Sequence, residues 1–236
     1  MEDLTADTTS GKKRRTRRTI TTILIVVVCV IDAVAFAVLS CYQHTFSRRP
    51  DNQYKYSGAI EQSHSSVDKD GDGIDDQVDV LEGALAYVGT HPKYKSRYYN
   101  IGYPDDGYGV CTDVVANAMK TAGYDLMELV SEDIVAHPDD YDIVEPDKNI
   151  DFRRVKNLQV WFRNNAVSLT TDVSDTQEWQ GGDIVIFENH IGVVSDRRNK
   201  VAVPYVIHHN DPWQKTYEQD ILETKNDIVG HYRVSE

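Results

Sequence analysis

The sequence predicts an α+β fold, with helices packed on an antiparallel sheet and one transmembrane helix in front. Three observations carry this reading. An apolar run follows a block of cations near the N-terminus, helical apolar periodicity recurs between residues 80 and 165, and short apolar runs separated by turn signals follow residue 178. The chain has 236 residues and a formal net charge of −13. That length allows one or two domains with a full hydrophobic core. The acidic balance argues against nucleic acid as a partner, because neutralising phosphates needs a basic face. Charge is uneven, with a net of +4 over residues 1–50 and −17 over residues 51–236, as expected of an anchor joined to a folded domain. Three cysteines exclude a disulfide-dense scaffold and a four-cysteine zinc site.

Residues 1–18 form a basic cytoplasmic segment containing Lys12, Lys13, Arg14, Arg15, Arg17 and Arg18. Residues 19–40 are the expected transmembrane anchor. About 20 residues at 1.5 Å each cross a hydrocarbon core of about 30 Å. Cations before the span favour a cytoplasmic N-terminus, single-pass topology and an extracytoplasmic C-terminal domain. Asp32 lies in the outer half of the run, which reduces the roughly 3 kcal/mol that a charge costs at the bilayer centre. Val38-Leu39-Ser40-Cys41 also resembles a lipobox, so a lipoprotein anchored at Cys41 is the alternative to an uncleaved anchor. Residues 41–67 are polar and aperiodic and read as a linker.

The folded domain is expected over 80–236. Val80, Leu81, Ala84, Leu85 and Val88 share a helical face within 80–90, and Val114, Val115, Ala118, Met119 and Ala122 repeat that logic over 111–122, before a stop at Gly123. Residues 124–150 are acidic and turn-rich with a short helix near Leu126–Val135, and Asn157–Asn165 is helical again. Gly181-Gly182 then makes a turn into an Asp183–Phe187 strand. Glu188-Asn189 turns into Ile191–Ser195, Asp196–Lys200 turns into Val201–His209, and Ile228–Val234 supplies a fourth strand.

Residues 68–79 predict a calcium-binding loop. Asp68, Asp70, Asp72, Asp76 and Asp79 fall at loop positions 1, 3, 5, 9 and 12, Gly73 permits the sharp turn at position 6, and Ile74 offers its carbonyl at position 7. Five carboxylates at this spacing repel one another unless a cation joins them; otherwise the segment is an acidic linker. The pattern resembles the calcium loops of EF-hands, dockerins and thrombospondin type-3 repeats, with Asp in place of Glu at the last position. Its expected role is structural.

Cys111 opens an apolar-faced helix after Gly107 and Gly109, where the helix N-terminus is expected to lower a thiol's pKa and its amides to hold an oxyanion. A small buried cysteine is the alternative. His190 opens a strand beside a tight turn, and Ile207-His208-His209-Asn210 ends the next strand. Pairing those strands as a hairpin makes His190 and His208 neighbours, the geometry of a base and its orienting partner. Adjacent strand residues point to opposite faces, so only one of His208 and His209 can serve. Cys111, His190 and His208 also offer three zinc donors, without a characteristic zinc spacing.

A Cys at a helix start, a Gly-Asp-hydrophobic strand, His-hydrophobic-Gly and then hydrophobic-His together resemble the NlpC-type papain-like cysteine peptidases. The stretch from about 84 to 234 resembles more closely the YijF-like family of unknown function. The shared pieces are Gly102-Tyr-Pro104, Gly109-Val-Cys-Thr-Asp113, Asn149-Ile-Asp-Phe-Arg-Arg-Val155, Asn157-Leu-Gln159, Gly182-Asp-Ile184, His190-Ile-Gly192 and Gly230-His-Tyr-Arg233. The resemblance implies a papain-like (NlpC-type) arrangement of helices on an antiparallel sheet, with Cys111 as nucleophile, His190 as base and His208 as third residue. The sequence departs from typical wall hydrolases in having Thr-Asp rather than Ser-Gly after Cys111.

Several charged positions carry two readings. Asp113 either caps helix amides or binds a cationic substrate group. Arg153 and Arg154 either clamp a peptide carboxylate or pair with the acidic 139–151 stretch, and His231 and Arg233 read as structural. Together these features predict a membrane-anchored extracytoplasmic thiol hydrolase, a peptidase or amidase, and the NlpC-type resemblance implies cell-wall peptide or peptidoglycan as its substrate. The alternative is a non-catalytic wall-binding or partner-binding domain.

Overall fold

The computed structural model describes residues 20–35 and 56–236. These belong to two separate units of the chain, divided after Ser47. In the first unit a helix α1 spans 20–35, with exposed apolar side chains such as Ile23, Leu24, Val30 and Ile31. Sixteen residues extend about 24 Å at 1.5 Å each, short of a hydrocarbon core of about 30 Å. Among the described residues no helix is long and apolar enough to cross a membrane, which corrects the transmembrane helix expected over 19–40. The rest of that expected span, the basic segment 1–18, the lipobox ending at Cys41 and the linker up to residue 55 lie outside the described residues.

The second unit is α+β. Its helices are α2 (Asp76–Gly89), α3 (Cys111–Thr121), α4 (Leu126–Ala136), the single-turn α5 (Lys148–Asp151) and α6 (Val155–Asn165). Its strands are β1 (Lys93–Tyr94), β2 (Tyr108–Gly109), β3 (Val167–Ser168), β4 (Ile184–Phe187), β5 (His190–Arg198), β6 (Pro204–Ile207), β7 (Glu218–Gln219) and β8 (Ile228–Arg233). β1 and β2 form a short parallel pair. The other six form one antiparallel sheet in the order β3-β8-β4-β5-β6-β7.

Asp75 starts α2 by accepting from the Gln77 and Val78 amides, and Asp125 and Asp147 do the same for α4 and α5. The apolar faces expected on α2 and α3 pack together. Val80, Ala84, Val114, Val115, Ala118 and Met119 are fully buried in a core shared with Phe152, Leu158 and Phe162. One face of the sheet completes that core through Ile184, Ile186, Ile191, Val193 and Ile207. The other face is buried too, where Val185, Phe187, Val194 and Val206 surround Trp179 and Leu222. β4 therefore reads as an unbroken apolar run, since its neighbours cover both sides.

One polar node joins α2 to the sheet. Gln77 Nε2 donates to Gly181 O at 2.7 Å and to Asp183 Oδ1 at 2.9 Å. Asp183 also accepts from the Gln180 amide, from His231 Nε2 at 3.0 Å and from Arg233 Nε and Nη2 at 2.9 and 3.1 Å. His231 stacks on Trp179, with ring centroids 3.8 Å apart. Gly182 passes beneath this node with φ of +95°, and a Cβ there would lie 2.2 Å from Gln77 O. Neither the backbone conformation nor the space admits a side chain. Gly182→Ala is expected to lower unfolding free energy by at least about 1–3 kcal/mol in urea titrations, and an unchanged midpoint would show that the node yields.

Candidate active site

Three elements bring the sequence-derived site residues together. Cys111 is the first residue of α3, His190 the first of β5, and His208 follows β6. β5 pairs with β6 through Val193↔Ile207 and Val194↔Val206, so the end of one strand returns to the start of the other. His190 Nε2 and His208 Nδ1 lie 2.8 Å apart. Gly192 allows the close approach, because a Cβ there would meet Val206 Cγ1 at 2.5 Å, Ile207 O at 2.9 Å and His208 Cβ at 3.2 Å.

The hydrogen-bond chain sets the direction of proton transfer. His208 Nε2 lies 3.0 Å from Gln219 Oε1, an acceptor, so His208 donates there and its Nδ1 carries the lone pair. His190 must then donate from Nε2 to His208 Nδ1, which leaves His190 Nδ1 as the proton acceptor. Burial is the largest cause pushing both imidazoles well below the ordinary histidine pKa, and mutual repulsion adds to it at His208. The pair is therefore neutral at physiological pH.

His209 points elsewhere. Its ring sits edge-on to Tyr94 and Tyr217, at 5.2 Å from each, and its buried Nδ1 has no hydrogen-bond partner among the described residues. It makes no bond to His190, and the opposite-face geometry of a strand accounts for the difference.

Cys111 is partly exposed at the helix start. The amides of Ile191, Thr112 and Cys111 itself favour its thiolate, and the Ile191 amide brings the backbone next to His190 against the sulfur. Loss of water outweighs these amides and pushes the thiol up to about 11. The lowered pKa expected from the helix start is thus reversed, since desolvation penalises the thiolate more than the local amides stabilise it. Tyr94, whose β1 strand pairs with β2 two residues before the cysteine, lies within electrostatic reach of Cys111 and Asp211.

Asp113 and Arg153 fix this corner. Asp113 Oδ2 accepts from the Val110 amide at 2.8 Å, holding the entry to α3. Arg153 grips both oxygens, from Nε at 2.6 Å and Nη2 at 2.9 Å, and both side chains are buried. Its Nη1 donates to Arg97 O at 2.6 Å. Both residues therefore serve the structure, leaving only Arg154 exposed. Arg154 lines a groove of about 720 Å³ with Asp142, Asn157, Gln159, Glu188 and Asn189, which none of Cys111, His190 and His208 lines.

Sequence reasoning did not find Gln219. It sits on the two-residue β7 and reaches His208 only because β7 pairs with β6, an arrangement without a periodic signal. The acidic residues lie apart from this site, in the loop before α2. There Asp68, Asp70 and Asp72 bring ligand oxygens within 4.8 Å of one another, while Asp76 and Asp79 stand in the first turn of the helix.

Two outcomes follow for the corner and the histidine pair. Arg153→Met should cost about 3–5 kcal/mol by leaving Asp113 charged, buried and unpaired, and adding Asp113→Asn should recover part of that loss in denaturant titrations. For the histidines the native state binds fewer protons than the unfolded chain, so stability rises with pH and is lost as pH falls below about 6.5. Between about pH 7 and pH 5, the wild type should lose stability more steeply than His208→Asn, and parallel curves would refute the buried neutral pair.

Comparison with known proteins places these residues in a wider context. Residues 81–234 match the model of a domain of unknown function, DUF1287. The uncharacterized protein YijF of Escherichia coli (strain K12) is 35% identical over 167 residues, covering 65% of this chain and 80% of that protein. No solved structure matches. The papain-like (NlpC-type) part of the expected fold is not supported by a matching structure, and the architecture stands as α+β with the strand order given above.

Proposed function

The chain belongs to the DUF1287 family of unknown function, and we propose that it is a thiol hydrolase of peptide or amide bonds, with cell-wall peptide, the class that the NlpC-type resemblance implies, as its substrate. The observation that carries the reading is the directed chain Gln219–His208–His190, together with the Ile191 amide, next to His190 in the chain, on the Cys111 sulfur. A neutral imidazole with its lone pair on Nδ1 is suited to accept a thiol proton. In this reading the Cys111 sulfur attacks the carbonyl carbon and its proton passes to His190 Nδ1. The Cys111 and Thr112 amides at the start of α3 would stabilise the oxyanion. The leaving amine takes the proton from His190, and water then cleaves the thioester, with His190 as base again. His208 and Gln219 hold the tautomer and orientation of His190. Because the resting thiol is protonated, deprotonation is coupled to attack rather than completed before substrate arrives.

The high thiol pKa also favours a second reading, a domain that binds wall peptide without cleaving it. One experiment separates the two. Purified protein is incubated with peptidoglycan fragments and defined wall peptides, followed by mass spectrometry for new termini and by a binding assay. Hydrolysis is expected for the wild type, a loss of several orders of magnitude for Cys111→Ser and Cys111→Ala, and a strong loss for His208→Ala with a small one for His209→Ala. With His190 held neutral by burial, kcat/KM should stay level well below the ordinary histidine pKa of about 6.5. Binding without turnover by the wild type would support the second reading, and equal turnover by Cys111→Ala would remove the enzyme.

A further inference from the structure

The loop before α2 carries an arrangement that the thiol site does not use. Asp68, Asp70 and Asp72 are exposed and bring carboxylate oxygens within 4.8 Å of one another. Asp79 adds an independent observation. It is 3% exposed, its buried Oδ2 has no hydrogen-bond partner among the described residues, and its carboxyl lies within electrostatic reach of Asp72, Asp70, Asp76 and Asp68. A buried carboxylate oxygen with no partner, within electrostatic reach of three clustered carboxylates, is costly for a protein and calls for a positive partner. Among the described residues no Lys or Arg pairs with Asp68, Asp70, Asp72 or Asp79, and the nearby Lys69 amine lies over the Tyr124 ring at 4.7 Å.

We propose that Asp68, Asp70, Asp72 and Asp79, with the backbone carbonyl of Ile74, bind one calcium ion. All five donors are oxygen, as a hard cation requires, and their number with added water suits the six to eight ligands of calcium better than the rigid octahedron of magnesium. Asp76 stands at the ninth loop position but has a different task. Its Oδ1 accepts from the Lys69 amide at 2.8 Å, and its Oδ2 accepts from the Tyr124 hydroxyl at 2.5 Å and the Ser235 hydroxyl at 2.9 Å. It ties the loop to the α3–α4 connection and to the C-terminal tail. Ion binding therefore orders the loop against α2, the helix whose Gln77 reaches Asp183.

The test uses the full chain, freed of metal, titrated calorimetrically with calcium chloride and separately with magnesium chloride, with thermal melts in calcium and in chelator. One calcium per chain, a higher melting temperature with calcium and weaker magnesium binding are expected. Asp70→Asn, an exposed change that leaves the fold intact, should weaken calcium at least about tenfold. Asp79→Asn should raise the melting temperature of the metal-free protein while abolishing the calcium response, a reversal that a purely structural Asp79 would not produce. An unmoved melting temperature with no calcium heat at millimolar concentration would overturn the site. Magnesium binding equal to calcium, or unchanged affinity in Asp70→Asn, would overturn the assignment of ion and ligands.

Discussion

The buried pair between Asp113 and Arg153 is the constraint on which the candidate site depends. Asp113 holds the Val110 amide, and through it the residue that introduces Cys111. Left alone in that position the carboxylate would be an uncompensated charge inside the core. Arg153 supplies two parallel hydrogen bonds and passes its remaining reach to Arg97 O, so the charge is matched without water. The pair links the start of α3 to the segment between α5 and α6, forty residues onward. Its worth is positional more than energetic. An apolar pair of similar volume could match its stability but would leave the Val110 amide without an acceptor, and the entry to α3 with it.

The same burial that makes this corner rigid shapes its chemistry. Removing water raises the Cys111 thiol and lowers both imidazoles, so each is driven toward its neutral form. A thiolate–imidazolium pair would need each partner to become charged in a place that disfavours charge. A neutral pair with a directed hydrogen-bond chain avoids that cost until a substrate carbonyl offers somewhere for negative charge to develop. Gln219 is suited to this arrangement. A carboxylate in its place would pull His208 and His190 toward protonation, whereas an amide oxygen fixes the tautomer and adds no charge.

Much of this was legible in the sequence where a local rule governs. The apolar faces of α2 and α3 follow from side-chain period, and β4, β5 and β6 from short apolar runs bounded by turn signals; strand alternation leaves one of His208 and His209 to pair with His190, and the family resemblance selected His208. Elements of two residues, β1, β2, β3 and β7, had no period to show, and Gln219 went unseen with them. Asp113 and Arg153 left two readings open because their partnership spans forty residues and depends on tertiary folding. The thiol's pKa went the other way for a related reason. A helix start is visible in the sequence, whereas the depth of water exclusion around a side chain is set by everything packed over it. The transmembrane helix read from the apolar run near the N-terminus needs about 20 residues, whereas the described part of that run holds sixteen helical residues, and no described helix is long and apolar enough to cross a membrane.

The helix α2 connects regions that the sequence presents as separate. Its N-terminal turn holds Asp76 and Asp79 toward the acidic loop and Gln77 toward Gly181 and Asp183, while its apolar face lies against α3. The Asp183 carboxylate in turn accepts from four residues on three segments, Gln77 of α2, Gln180 before β4, and His231 and Arg233 of β8. A displacement of the first turn of α2 would therefore break hydrogen bonds to a fully buried carboxylate at the entry to β4, the strand paired with β5 and His190. Buried polar networks resist such displacement because a partly satisfied carboxylate is worse than either a complete network or none. On this argument the acidic loop and the histidine pair are mechanically joined even though they share no residue, and the rigidity of one end of α2 sets how firmly the sheet presents His190 to Cys111.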